Sequence, residues 1–270
     1  MSDSTSLLID PARLPALLGE ATGRFNVISL PECESTNTLL MDHAAEGAPS
    51  GTVVVTDRQT AGRGSRGRHW MASPEASLTF SVLWGFAGGL ERLSGLSLAV
   101  GVAVVQALEA CGAAGVMLKW PNDILYGHAK LGGILVELHA EPDDSAMAVI
   151  GIGLNLRLPE TIGEPSVAAL PAAALEQIVT TVPERHVLFA RLLVELARAF
   201  DRFAAGGFAA LRDDWHARHA WQERPVRLLR EGRVEKEGVC AGADADGALL
   251  VRTADGLERC LSGDVSLRPL

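Results

Sequence analysis

The stretch DRQTAGRGSRGRHW, residues 57–70, places Gly62, Gly64 and Gly67 at the G-x-G-x-x-G spacing of a dinucleotide-binding turn. The residues after that turn decide the fold class. In a dinucleotide-binding unit a buried strand enters the glycine turn and a helix leaves it at once, with an acidic residue about twenty positions on. The strand is present, because TVVVTD (52–57) is a β-branched run suited to burial. The helix is not: RHWMASPEASLTFSVLW contains Pro74 and then a second strand pattern, SLTFSVLW (77–84). No acidic residue ends a second parallel strand, and no Gly-Lys-Ser/Thr follows at P-loop spacing. The glycine spacing is therefore coincidental. What remains unusual is that Arg63, Arg66 and Arg68 are threaded through it.

Other elements read directly from pattern. Pro11 to Glu20 reads as a short helix and FNVISL (25–30) as a strand. STNTLLMDHAAEG (35–47) reads as a helix capped by Ser35 or Asn37, with Leu39, Leu40 and His43/Ala44 on one face. Leu90 to Ala110 has the length and composition of a largely buried helix. VMLKW (116–120), DILY (123–126), KLGGILVELH (130–139) and MAVIGIGLNL (147–156) come next as strands with short connections. The Ala- and Pro-rich region 159–181 reads as irregular with a short helix. Residues 183–207 form the clearest amphipathic helix, started by Pro183 and stopped by Gly206 and Gly207, with a second helix at 208–218. After Arg224-Pro225 come short alternating runs separated by Gly and Asp turns. They predict an all-β appendage of under 50 residues, packed on the main part because it is too small to be robust alone.

A chain of 270 residues suits one large domain, or one with such an appendage. It is 48% hydrophobic with a mean hydropathy of +0.19 but only 5% aromatic, so Ala, Val and Leu must fill the core. A net charge of −9 argues against a nucleic-acid surface. The arginine loop is then a local positive island, suited to a small anion. Its glycines and like charges predict poor order until an anion gathers the guanidiniums; the alternative is a solvated loop. Cys33, Cys111, Cys240 and Cys260 form no C-x-x-C pair and read as reduced thiols. The first residues lack signal-peptide features, and the uncharged run Ser94 to Val105 is shorter than the ~20 residues that span a bilayer. A cytoplasmic protein with no membrane partner is expected.

Four further stretches could carry chemistry. Lys119-Trp120-Pro121-Asn122-Asp123 lies at a strand-to-strand turn, where Asn122 and Asp123 either cap the turn or, with Lys119, meet a nucleotide and its magnesium. Lys130 opens an apolar strand whose Gly132-Gly133 permits close approach, so it is either solvated or grips an anionic group. Gly151-Ile152-Gly153-Leu154-Asn155 repeats the glycine theme and ends on an amide. Ser35-Thr36-Asn37 offers three small hydrogen-bonding groups where a cap needs one. His216 and His219 have no adjacent acidic or cysteine partner and read as surface residues.

In order along the chain, ESTN (34–37), QTAGRGSRGRHW (59–70), KWPNDI (119–124), KLGGILVE (130–137), GIGLNL (151–156) and GDVSLR (263–268) resemble the signatures of the biotin–protein ligases, also called biotin–[acetyl-CoA-carboxylase] ligases. The resemblance covers roughly residues 25–270. It implies an α+β fold related to class II aminoacyl-tRNA synthetases and lipoyl ligases: a mixed β-sheet flanked by helices, with a small C-terminal SH3-like β-barrel. The expected division is a catalytic domain at 1–222 and the barrel at 223–270. Only about 24 residues precede the first core strand, too few for the helix-turn-helix of members that also repress transcription, so DNA binding is not expected.

The implied chemistry is adenylation of biotin by ATP with magnesium, then transfer of biotin to a lysine of a biotin carboxyl carrier domain. It rests on positioning and charge rather than on a protein nucleophile. By resemblance, Ser35, Thr36, Asn37, Gln59, Gly62, Gly64, Ser65, Gly133 and Gly151 belong to the biotin pocket. Arg63 and Lys130 hold the carboxylate and the α-phosphate joined to it. Arg66, Arg68, Trp70, Lys119, Asn122, Asn155 and Arg268 engage the nucleotide. Asp123 is the candidate for magnesium and for relieving the acceptor amine of its proton, and a homodimer is compatible with the family. Where the family loop commonly has Arg, this chain has Ser65, which predicts a more loosely held adenylate. The rival readings are a lipoate–protein ligase, whose R-R-x-x-G-G-G type loop is not found here, and a non-catalytic biotin sensor.

Overall fold

The structure, a computed structural model, describes residues 7–71, 73–140, 145–158, 170–230, 232–261 and 265–270. The first part, 159–169, of the irregular region expected at 159–181 and the Gly263-Asp264 pair of the last signature lie outside them. In chain order the first unit holds α1 (Pro15–Leu18), β1 (Asn26–Cys33), α2 (Thr36–Ala45), β2 (Thr52–Gln59), β3 (Ser77–Ala87), α3 (Leu96–Ala110), β4 (Val116–Lys119), β5 (Asp123–Tyr126), β6 (Ala129–Ala140), β7 (Ser145–Asn155), α4 (Arg185–Gly206) and α5 (Arg212–Arg218). A second group comes after it: β8 (Pro225–Arg230), β9 (Arg233–Ala243), β10 (Leu249–Thr253), β11 (Gly256–Cys260) and β12 (Val265–Pro269).

The central sheet runs β1-β2-β3-β7-β6-β5-β4. Only β1 and β2 are parallel, and α2 is the crossover that parallel pairing requires. The remaining pairs are antiparallel; short connections join β4-β5, β5-β6 and β6-β7, whereas β2 and β3 are joined through the arginine loop and β3 and β7 are distant in sequence. This is the mixed sheet expected.

Period-two alternation sorts each strand between two faces. On one face Val53, Val55, Phe80, Val82, Ile150, Ile152 and Leu154 join the large core under α3 and α4. On the other, Val54, Leu83 and Val149 pack with Leu40 and Ala44 of α2. The second cluster is small, so beyond α2 this face is left to polar and glycine positions: Thr79 and Ser81 on β3, Gly151, Gly153 and Asn155 on β7. A cavity opens over these small and polar positions.

Two expected helices are interrupted. Residues 11–21 form a 3-10 turn at Pro11–Arg13, the single α-turn α1 and a 3-10 turn at Gly19–Ala21. Pro15 has no N–H to continue the first turn. The segment is still anchored, with Ile9, Leu14, Leu18 and Ala21 buried. Leu90–Ala110 is long and apolar enough to cross a bilayer, but it breaks into a 3-10 turn at Leu90–Leu93 and α3, most of it buried in the core. The break falls at Gly95, whose φ is +79° and where a Cβ would stand 2.6 Å from Phe208 Cβ and 3.2 Å from Asp246 O. Gly95 thus lets a loop of the second unit close onto the first.

The second unit is an antiparallel sheet in the order β11-β10-β9-β8-β12. Its edge strands β11 and β12 do not pair, so the expected closed barrel is an open five-stranded sheet. It packs on the first unit through Trp120, which donates to Gly247 O at 3.1 Å, and through His216, which accepts from Ala243 N at 2.9 Å. The two histidines are therefore junction residues, which corrects the surface reading. His219 is 3% exposed, stacks on Trp215 with centroids 4.3 Å apart and lies 3.8 Å from Cys240 Sγ. Burial pushes its pKa down to about 3, so it packs as a neutral ring. Cys240 is 21 residues from His219, and only the fold brings the two together.

Candidate active site

A cavity of about 360 Å³ lies over the polar face of β3, β6 and β7. It is lined by Ser35, Thr36, Asn37, Gln59, Arg63, Gly64, Ser65, Arg68, Trp70, Lys119, Asn122, Asp123, Lys130, Gly133, Gly151, Asn155 and Arg268. These come from five separate sequence blocks and from β12. Of the residues singled out from sequence, Gly62 and Arg66 are the two outside the lining.

One part of the cavity is a network of neutral groups. Ser35 caps α2, accepting from Thr38 N at 3.4 Å, which frees its two neighbours for other partners. Gln59 Oε1 accepts from Thr36 N at 2.8 Å and from Thr36 Oγ1 at 3.1 Å. Ser81 Oγ lies 2.7 Å from Thr36 Oγ1 and donates to Asn37 Oδ1 at 2.6 Å. Asn37 Nδ2 donates to Glu137 Oε2 at 2.9 Å and to Leu135 O at 3.3 Å. Thr36, Asn37 and Ser81 are all buried. Gly151 is required beneath them, because a Cβ there would stand 2.1 Å from Asn37 Oδ1.

The other part is cationic. Asp123, 4% exposed, receives Lys119 Nζ at 2.6 Å on one oxygen and Lys130 Nζ at 2.5 Å on the other. Burial alone would raise its pKa; the charges of Lys130 and Lys119 reverse that and hold the carboxyl well below the usual range. Burial brings Lys119 down to about 8, opposed by Asp123. Gly133 leaves room for Lys130, whose Nζ would lie 3.1 Å from a Cβ at that position. Arg268 reaches in from β12, and burial lowers its pKa against the attraction of Asp123. Arg68 lines the same space. Lys119 and Lys130 thus hold one carboxylate, with Arg268 within its attraction and Arg68 on the same lining, a cationic region suited to an anion.

These partners change the reading of Asp123. A carboxylate with both oxygens on ammonium groups and a depressed pKa is a poor proton acceptor, so it does not suit the task of deprotonating an incoming amine. It is also not ready to ligate magnesium, and the described residues contain no cluster of three His, Cys, Asp or Glu fit for a metal. Asn122 and Asn155 act as struts. Asn122 Nδ2 donates to Ile134 O at 2.8 Å, and Asn155 Nδ2 to Lys130 O at 3.3 Å and Ala173 O at 3.0 Å.

The arginine loop, expected to be poorly ordered, is folded on itself. Gly64 N donates to Arg68 O at 2.7 Å, Trp70 N to Gly62 O at 2.9 Å, and residues 65–67 make a 3-10 turn at the tip. Gly67 has φ +67°, while Gly62 is needed for close approach: a Cβ would stand 2.2 Å from Trp70 O. Trp70 lies against Gly153, where a Cβ would meet its ring at 2.3 Å, and donates to Thr79 Oγ1 at 3.3 Å. The arginines diverge. Arg63 pairs with Glu137 at 2.6 Å, Arg66 donates to Val265 O of β12, and Arg68 holds Ser65 Oγ at 3.0 Å.

The sequence reading missed Thr79, Ser81 and Glu137, and gave Gly153 no role of its own. Ser77, Thr79 and Ser81 alternate within an otherwise apolar strand, a polar stripe that could have been read as a second lining. Glu137 carried no such signal, since a carboxylate late in a strand is ordinarily solvated.

Residues 30–155 match the biotin/lipoate A/B protein ligase family, and residues 223–268 match the biotin protein ligase C-terminal domain. The chain is 35% identical over 255 residues to the bifunctional ligase/repressor BirA of Escherichia coli, covering 93% of this chain and 77% of the relative. It is 33% identical over 230 residues to the biotin–[acetyl-CoA-carboxylase] ligase of Paracoccus denitrificans, covering 83% and 92%. The biotin protein ligase of Aquifex aeolicus, solved in complex with biotin and ATP, superposes with a TM-score of 0.76 at 30% identity, over 91% of this chain and 99% of that one. On sequence, on fold and on a cavity that joins a neutral hydrogen-bonding pocket to a cationic one, the chain belongs to the biotin protein ligase family.

Proposed function

We propose that this cavity is where biotin is adenylated and from which it is passed to a carrier lysine. The chain is an ATP-dependent biotin–protein ligase with biotin and ATP as substrates. The observation that carries the assignment to this cavity is its two-part chemistry, with neutral donors and acceptors around Asn37 and two lysines gathered on Asp123.

In the first step a carboxylate oxygen of biotin bonds to the α-phosphorus of ATP and pyrophosphate leaves. In the second, an uncharged lysine amine attacks the acyl carbon and AMP leaves. The pocket of Ser35, Thr36, Asn37, Gln59, Gly133 and Gly151 takes the ureido ring, which both donates and accepts; a lipoyl ring offers neither. Lys130, with Lys119 and Arg268 behind it, takes the negative charge of the carboxylate and the attached phosphate. Such fixed charges act most strongly where charge gathers in the transition state. Arg63 and Arg68 complete that clamp once they leave Glu137 and Ser65. Trp70, seated on Gly153, offers a flat apolar face for the nucleotide. Asn122 and Asn155 hold the backbone that presents Asp123 and Lys130.

Asp123 serves as the counter-charge that keeps the buried Lys119 charged and holds Lys130 at the cavity. Magnesium bound with ATP would supply charge neutralisation at the phosphates; among the described residues no group of three His, Cys, Asp or Glu stands ready to hold it. Gly62, Gly64, Ser65 and Arg66 shape the loop, and Arg66 ties it to β12. We further propose residues 1–222 as the catalytic unit and 223–270 as the second. The acceptor is a biotin carboxyl carrier domain, the substrate class of biotin protein ligases.

The test is incubation with ATP, magnesium, labelled biotin and a carrier domain. Label should appear on the carrier and depend on ATP. No transfer, or transfer of lipoate instead, overturns the reading.

A further inference from the structure

Glu137 lies at this site without a role in the chemistry assigned above. It sits on β6 opposite Val149, and its side chain is 23% exposed. It makes two contacts at once: Oε2 accepts from Asn37 Nδ2 at 2.9 Å, and Oε1 pairs with Arg63 Nη2 at 2.6 Å.

The orientation of an amide is decided by its neighbours. On the Nδ2 side of Asn37 stand two acceptors, Glu137 and Leu135 O, and an ionised carboxylate accepts only. On the Oδ1 side stands the Ser81 hydroxyl, beside Gly151 on the cavity floor. Nδ2 is therefore spent on the protein, and Asn37 can offer a ligand only the free lone pair of Oδ1. Leu135 O alone is a long contact at 3.3 Å, and a serine hydroxyl accepts as readily as it donates. Without Glu137 the amide has little reason to hold one face to the cavity.

We propose that Glu137 is a positioning residue for substrate recognition: it locks Asn37 as a hydrogen-bond acceptor for a ring N–H of biotin. This rests on reading the Asn37 pocket as the ureido site. The half-exposed pair with Arg63 contributes little, as surface ion pairs do, so the Asn37 arm carries the effect.

The experiment measures biotin affinity by calorimetry without ATP for the wild type, Glu137→Ala, Glu137→Gln, Asn37→Ala, Arg63→Ala, and the pairs Glu137→Ala/Asn37→Ala and Glu137→Ala/Arg63→Ala. Asn37→Ala and Glu137→Ala should each weaken binding about tenfold, the scale of one charge-assisted hydrogen bond. The Glu137→Ala/Asn37→Ala pair should be no weaker than Asn37→Ala alone, whereas Glu137→Ala should still weaken binding when added to Arg63→Ala. Glu137→Gln, whose carbonyl can face Nδ2 with its amide turned toward Arg63's place, should restore most of the affinity. A purely structural role would show no such rescue and no such selective coupling. Biotin analogues with a ring N–H replaced by oxygen give the second readout: one of the two should lose affinity for the wild type and Glu137→Gln but lose little for Glu137→Ala. If Asn37→Ala binds biotin normally, the pocket reading itself fails and takes the inference with it. If Asn37→Ala is weak but Glu137→Ala is silent or additive with it, the inference alone is overturned.

Discussion

Replacing Asp123 by Asn removes the negative charge that pairs with the buried Lys119 and the partly exposed Lys130, and the consequence depends on pH in a calculable way. Lys119 is 5% exposed, and its pKa falls from 10.5 to about 8 even with Asp123 bonded to it. That drop is worth about 3 kcal/mol against the charged form. Because the folded chain binds this proton more weakly than the unfolded one, wild-type stability rises with pH between about 8 and 10.5. In Asp123→Asn the burial and the repulsion from Lys130 and Arg268 persist with nothing opposing them, so the pKa of Lys119 falls below 8. Removing one partner of a buried pair costs about 3–5 kcal/mol, felt in full while Lys119 stays charged. As pH climbs from the variant's lower pKa to about 8, the variant sheds its proton and the wild type does not. The stability gap should therefore close by about 1.4 kcal/mol per pH unit across that window and stay level above it. Urea unfolding of both proteins at half-unit steps from pH 6 to 9 measures the gap directly. Adding Lys119→Met to both should abolish the trend. A gap that does not change with pH would refute the argument that Lys119 is the group Asp123 keeps charged.

Three further expectations rest on the same geometry. Gly153→Ala puts a methyl where the Trp70 ring lies 2.3 Å away, so the indole must leave its seat; ATP affinity should fall at least tenfold, while the melting temperature changes by a few degrees or less, and unchanged ATP binding would remove Trp70 from the nucleotide site. Lys130→Ala should abolish adenylate formation, monitored as pyrophosphate release, with circular dichroism unchanged; retained activity would take Lys130 out of the clamp. Ser65→Arg should slow the release of biotinyl-AMP by about 10- to 100-fold, the worth of one charged hydrogen bond, although it also frees Arg68 from the serine hydroxyl, and equal release rates would end the idea.

The central sheet was legible in the sequence because its strands are β-branched, short and separated by turns, and local pattern carries that information. TVVVTD, SLTFSVLW and MAVIGIGLNL became β2, β3 and β7 with small changes at their ends. The break at Gly95 was not legible, since its cause is Phe208 and Asp246, more than a hundred residues away. His219 looked solvated for the same reason: Trp215 is nearby in sequence, but the β9 cysteine that helps enclose it is not. Within the site, the identity of the blocks was readable, whereas the partners were not.

By itself, the sequence determined which side chains could bind, because a run such as SerThrAsn or LysLeuGlyGly commits its donors, charges and glycines before any folding. It also excluded a dinucleotide turn, since the residues after Gly67 cannot start a helix. Only the tertiary structure decided what each group was free to do. It placed two lysines on Asp123 and so made a counter-charge of an apparent base; it turned Arg66 toward Val265, and it set Glu137 beside Asn37 across a separation of 100 residues. Hydrogen bonds and pKa values depend on what lies within a few ångströms, and in a sheet whose neighbouring strands come from distant parts of the chain, those neighbours are set by strand order rather than by sequence position.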